Sequence, residues 1–147
     1  MVTDHVMGHP VLGAHMRETQ KMVPDSWEWR IPSPVGNQGT CGACFAFATI
    51  AQLESWIDSQ TALNVTDVSN CVSHDCSGAS LYDVYSFLQA SGANTADRSA
   101  EPCYSADRDV AVLEFAIGYF PENNDLERHF PGWLRQYGPI VVGVDAE

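Results

Sequence analysis

The sequence predicts an α+β protein, with helices first and β-prone segments last. Three observations carry this prediction. Residues from Gly42 to about Asp58, and again from Ser80 to Ala90, repeat apolar side chains at helical spacing. Val110–Phe120 and Ile140–Val144 are apolar and β-prone. No internal repeat or low-complexity segment breaks that order, and 147 residues suit one modest domain, or one and a half lobes of a larger one.

The first helix places Phe45, Ala48, Ile50, Leu53, Trp56 and Ile57 on a broad apolar face, as a central buried helix requires. A short helix is predicted near Asn64–Asn70. Asn64 is there either its N-cap, with Asp67 three residues on, or the glycan acceptor of Asn64-Val65-Thr66. The helix Ser80–Ala90 carries Leu81, Val84, Tyr85 and Leu88 on one face, with Gly92 as its C′ stop. Asn94–Asp109 is polar and turn-rich and reads as loop. Asp125–Tyr137 reads as a surface helix interrupted at Pro131. Ile140–Val144 is nearly all apolar and is expected to be a strand buried on both faces.

Nineteen acidic against seven basic side chains give a net charge of −12. That argues against nucleic acid, which needs a basic patch, and against an anionic membrane surface. It fits an acidic organelle or the extracellular space, where protonation relieves self-repulsion. No apolar run is long enough to span a bilayer. The first 30 residues hold no continuous apolar core of a signal peptide; for a secreted or lysosomal protein, the targeting segment is expected to have been removed or to lie outside this sequence.

The segment Asn37-Gln38-Gly39-Thr40-Cys41-Gly42-Ala43-Cys44-Phe45-Ala46-Phe47-Ala48 is chemically the most informative. It puts Cys44 at the start of an apolar helix, just after a glycine-rich turn. The positive end of a helix macrodipole favours thiolate, the nucleophilic form of cysteine. Exposed backbone N–H groups and the Gln38 amide are donors for a developing oxyanion. A cysteine on an apolar helix is by itself more often an inert buried thiol, and Gln38 by itself a solvated amide. The motif flanking Cys44 reverses the first reading, and Gln38 takes its value from its spacing to Cys44.

Cys41-Gly42-Ala43-Cys44 resembles the nucleophile signature of the papain-like cysteine peptidases, with Phe45 where that family has Trp or Tyr. Four more blocks are similar in order. Val23-Pro24-Asp25-Ser26-Trp27-Glu28-Trp29-Arg30 looks like the mature N-terminus. Leu63–Cys71 is similar to L-S-x-Q-x-L-x-D-C, and Asp75-Cys76-Ser77-Gly78-Ala79 to G-C-N-G-G. Gly138–Ala146 is similar to G-P-[IV]-x-V-A-[IL]-D-A. The resemblance implies a two-lobe fold. Residues 23–115 would form the helical lobe, and 116–147 would begin a β-rich lobe that is only partly present. Residues 1–22 would be the end of an inhibitory prosegment or an added tail.

The resemblance also implies roles. Cys44 would be the nucleophile and Gln38 the oxyanion donor. Gly42, Gly78, Ala79, Ser80 and Gly143 would bind substrate, with Gly78 and Ala79 holding the peptide chain by strand-like hydrogen bonds. Ala79 replaces a glycine, which sets a methyl group at the substrate's approach. Ser80 and Gly143 would line a roomy pocket for the residue two before the scissile bond. The plainer readings are a simple turn for 78–79, and surface or packing positions for Ser80 and Gly143. Of the five cysteines, Cys41 would pair with Cys76 and Cys71 with Cys103, leaving Cys44 free. Two bridges imply an oxidising compartment, lysosomal or vacuolar or extracellular. No cofactor is implied, and the expected partner is a peptide or protein substrate.

The family's histidine base and the asparagine that orients it lie about 130–150 residues beyond the nucleophile. Fewer residues than that follow Cys44 in this chain, and His5, His9, His15, His74 and His129 lie in no similar block. A second chain or a further segment is therefore expected to supply both. An open β edge ending in Val141-Val142-Gly143-Val144 favours a second chain. The competing reading is a papain-like scaffold without catalysis, to which Phe45, Ser77 and Ala79 lend weight. Zinc held in tetrahedral geometry by two C-x-x-C/H pairs, Cys41 with Cys44 and Cys71 with His74 beside Cys76, is a weaker alternative, and no metal is expected. A thioredoxin-like reading of Cys41-x-x-Cys44 is weaker still. No histidine pair resembles an occluding insertion, which favours an endopeptidase.

Overall fold

The computed structural model describes residues 25–57, 61–98, 102–115, 117 and 126–144. Four helices follow one another there: α1 (Cys44–Trp56), α2 (Val65–Val72), α3 (Leu81–Ala90) and α4 (Leu126–Tyr137). The described residues fall into two compact units. One comprises 25–29, 117 and 126–140, and the other 30–57, 61–98, 102–115 and 141–144.

The larger unit is built by α1, α2 and α3 packing on one another. The core stripe of α1 runs through Phe45, Ala46, Thr49, Ile50 and Glu54. At about 100° per residue those positions share one side. Ala48, expected on the apolar face, lies on the other side and is exposed. Trp56 closes the last turn and is also exposed. The two polar members of the stripe are satisfied. The Thr49 hydroxyl donates to the Phe45 carbonyl at 2.8 Å. The Glu54 carboxylate accepts from the Leu63 amide at 2.6 Å and from the Ser33 hydroxyl, tying three chain segments together.

Each following helix has its own start and stop. Asn64 caps α2, its side-chain oxygen accepting from the Asp67 amide at 3.0 Å. Ser80 caps α3 in a full capping box with Asp83. Val84 and Leu88 of α3 are wholly buried, a gain of about 1.5–3 kcal/mol for each side chain. After Ser91, Gly92 takes φ +86°, and a Cβ there would stand 2.3 Å from the Val110 carbonyl oxygen. Glycine is needed both for the turn and for the close approach.

That approach begins the pairing of Ala93 with Val110, whose amides and carbonyls exchange bonds of 2.7 and 3.0 Å. The described residues of the polar stretch between them are held by side-chain hydrogen bonds. The Asp109 carboxylate accepts from the Thr95 amide at 2.9 Å, the Thr95 hydroxyl at 3.0 Å and Arg98 at 2.9 Å. Beneath it lies a buried ion pair that no local pattern announces. Arg108 donates to Asp67, with side chains 1% and 4% exposed. Asn94 donates to the same carboxylate at 3.3 Å, and the guanidinium lies 5.3 Å from the centre of the Phe87 ring. The disulfide Cys71–Cys103 fastens the same loop to α2.

The doubly buried strand expected over Ile140–Val144 is not formed among the described residues. Residues 111–115 and 140–144 are irregular, and Val142 and Val144 are exposed rather than buried on both faces. A strand exists through its partner's hydrogen bonds, and these segments have no ladder there. The helical part of the α+β expectation is present, and among the described residues β pairing is limited to the isolated bridges Leu63–Thr95 and Ala93–Val110. In the smaller unit α4 runs unbroken through Pro131, contrary to the expected interruption. The proline ring holds a helical φ, so the local loss is one donor and a crowded carbonyl. Trp29 donates its indole N–H to the Leu134 carbonyl, and Arg135 lies over the Trp27 ring.

Replacing Arg108 by Met will leave the Asp67 charge buried and unpaired and will cost about 3–5 kcal/mol. Exchanging both residues for apolar ones will cost less, as measured by denaturant unfolding with the disulfides intact. The Thr95 amide, then its hydroxyl and Arg98, hold the Asp109 carboxyl below the usual aspartate range against a smaller opposing effect of burial. A lowered native value means that the bonus is complete above the unfolded value and fades as pH falls through the native one. The stability difference between the wild type and Asp109→Asn will therefore shrink on acidification through that window, as thermal melts at successive pH values will read.

Candidate active site

The turn before α1 is built by short polar and glycine residues. The Asn37 side-chain oxygen accepts from the Gly39 amide at 2.8 Å, and Gly39 takes φ +63°. The Gln38 carbonyl accepts from the Cys41 amide at 3.3 Å, closing the turn with the Gln38 side chain exposed. Ala43 precedes the helix without a side-chain cap, and its carbonyl receives the Ala46 and Phe47 amides at 2.9 and 3.1 Å. Cys44 is thus the first helical residue.

Helical spacing then decides which way Cys44 faces. Phe45 and Ala46 are buried in the core, and Cys44 lies on the opposite side, exposed and free. The positive end of the α1 macrodipole lies at this position. Phe45, the departure from Trp or Tyr, keeps the core role of an aromatic ring at 4% exposure.

A second loop crosses directly beneath. Cys41 and Cys76 form a disulfide with Cα atoms 4.8 Å apart. The Gly42 amide donates to the Cys76 carbonyl at 3.0 Å. An added Cβ on Gly42 would stand 2.6 Å from that oxygen and 3.2 Å from the Gly78 amide nitrogen. Here two backbones touch, and only glycine fits. Gly78 faces the Gly42 carbonyl in turn and takes φ +95°. The structure therefore brings Cys41, Gly42, Cys44, Cys76 and Gly78 into one neighbourhood.

The remaining sequence-predicted residues fare differently. Ala79 is partly buried and packs against the hydrophobic core. Ser80 is an exposed helix cap. Gly143 is exposed, and a Cβ added there would meet open space. Cys71–Cys103 is the second disulfide. With Cys41 and Cys71 held in disulfides, the zinc alternative keeps only Cys44 of its three thiolates.

Sequence reasoning missed Asp75. Its carboxylate accepts from the Ser77 hydroxyl at 2.7 Å, the Ser77 amide at 3.1 Å and the Ser73 hydroxyl at 3.3 Å. Those bonds, the Ser77 hydroxyl foremost, hold the carboxyl below the usual range. An aspartate two residues before a serine is the signature of such a turn and was readable in Asp75-Cys76-Ser77.

Comparison with known sequences gives one family. The model of the papain family cysteine proteases matches residues 23–147. Among curated relatives, cathepsin 7 of Rattus norvegicus is 29% identical over 90% of this chain and 44% of its own length. The viral cathepsin of Cydia pomonella granulosis virus is 32% identical over 87% of this chain and 42% of its own. Cathepsin K of Mus musculus is 29% identical over 88% and 43%. The chain thus spans less than half the length of these relatives. No solved structure gives a significant match.

Gly42→Ala will force the two backbones apart. It will lower stability by about 1–3 kcal/mol, as overpacking does in a close-packed site, and will change the rate at which iodoacetamide reaches Cys44. Thermal melting and alkylation kinetics on the same sample will check both.

Proposed function

The chain belongs to the papain family of cysteine proteases, and we propose that it carries the nucleophile of a thiol peptidase. The observation that carries this reading is Cys44, a free, exposed thiol at the first position of α1, directly above the Gly42–Cys76 crossing. Its sulfur attacks the carbonyl carbon of a peptide bond. The carbonyl π electrons move to oxygen, which the Gln38 amide and the Cys44 backbone N–H stabilise. Collapse expels the amine, protonated by the histidine, and leaves a thioester. Water then adds, the thiol departs, and the acid is released.

On this reading the histidine and its orienting asparagine come from a second chain or a segment outside these residues. Gly78 and Ala79 offer backbone groups to the substrate, with Ser80 and Gly143 at the specificity pocket. Residues 23–115 act as the helical lobe and 116–147 as the start of the β-rich one. Two disulfides support an oxidising site of action, lysosomal or vacuolar or extracellular.

An epoxide-type thiol-peptidase inhibitor tests the proposal. One adduct on Cys44, absent in Cys44→Ala and suppressed by a competing peptide aldehyde, is the expected result. Alkylation of Cys44 by iodoacetamide without any reaction with the epoxide would leave the non-catalytic scaffold as the reading.

A further inference from the structure

The block Asp75-Cys76-Ser77-Gly78-Ala79 departs from the family's G-C-N-G-G at its first, third and last positions. The first two departures are coupled in space. Asp75 supplies one carboxylate oxygen that receives the Ser77 hydroxyl, the Ser77 amide and the Ser73 hydroxyl at 2.7, 3.1 and 3.3 Å. Bracketed by these bonds, Cys76 takes φ +59°, a left-handed conformation that residues with a Cβ adopt at a cost. The strained residue is the one whose carbonyl receives the Gly42 amide at 3.0 Å and whose sulfur is joined to Cys41. Gly78, two residues on, faces the Gly42 carbonyl. A shift of this turn therefore passes without an intermediary to Gly42, two residues before Cys44.

We infer that Asp75 is a positioning residue for peptide binding: its carboxylate sets the 75–78 turn that places Gly78 against the start of the Cys44 helix. The inference rests on the peptidase reading above and adds to it a residue outside the nucleophile motif. Asp75 touches no reacting atom. It acts through Cys76 and Gly78, and its partner Ser77 takes over a position that the family fills with asparagine.

The test compares two alkylating agents on the full chain with its disulfides intact. Iodoacetamide reports the reactivity of the Cys44 thiol alone. A chloroacetamide appended to a short peptide reports thiol reactivity multiplied by peptide binding. The ratio of their rates isolates binding from chemistry and from folding. Asp75→Ala is expected to lower the ratio about fivefold, the scale of losing one side-chain-to-backbone capping bond, with the iodoacetamide rate unchanged. Asp75→Asn, which keeps an acceptor for the Ser77 amide, should restore most of the ratio, and Ser77→Ala should fall between. An unchanged ratio in Asp75→Ala would overturn the inference and make the turn a plain surface feature. Should Asp75→Ala fail to fold, Ser77→Ala and Asp75→Asn decide it, and wild-type ratios in both would overturn it. A wild type that reacts no faster with the peptidyl agent would overturn the peptidase reading itself, and this inference with it.

Discussion

The contact between Gly42 and Cys76 is the constraint from which the rest of the site follows. Two backbones meet at hydrogen-bond distance, with a carbonyl oxygen where any side chain on residue 42 would stand. The Cys41–Cys76 disulfide makes the meeting covalent. Its 35-residue sequence separation is worth about 4 kcal/mol on the chain-entropy account. With the start of α1 pinned at that point, helix geometry alone sends Phe45 and Ala46 into the core and Cys44 outward. The exposure of the thiol is thus a consequence of what lies behind it.

The same unit pairs its buried charged side chains Glu54, Asp67 and Arg108. Glu54, buried in the middle of an apolar interface, is satisfied by Ser33 and Leu63. Asp67 and Arg108 are buried together, with Asn94 as a further donor. Such groups add little net stability, because desolvation offsets their attraction. Breaking one is expensive, so they restrict the ways in which α1, α2 and the 94–109 loop can be arranged. The Cys71–Cys103 bridge acts on the same pair of segments, α2 and the loop. Among the described residues the other acidic side chains lie at the surface, where solvent screens them.

Much of this was legible in the sequence, and the reason is locality. The start of α1, the cap at Asn64, the capping serine of α3 and the stop at Gly92 depend on neighbours within a few residues, and each is where its local chemistry puts it. The nucleophile motif is local too. Gly42 and Gly78 were readable as special positions, but the reason for Gly42, a carbonyl from a loop more than thirty residues away, was not. Asp67 with Arg108 and Glu54 with Ser33 are likewise non-local, and nothing in either stretch marks its partner. The β-prone segments failed for a related reason: apolar composition describes a strand's appetite for a partner, and the ladder that would satisfy 140–144 is absent among the described residues. At Pro131 a local rule was simply outweighed by the helix around it.

Peptide mapping under non-reducing conditions, after alkylation of the native protein with iodoacetamide, tests this account most directly. The prediction is a single alkylated cysteine, Cys44, with Cys41 recovered linked to Cys76 and Cys71 to Cys103. Alkylation at Cys41 or Cys76, or a bridge that consumes Cys44, would contradict the claim that the Gly42–Cys76 crossing holds the nucleophile helix in place.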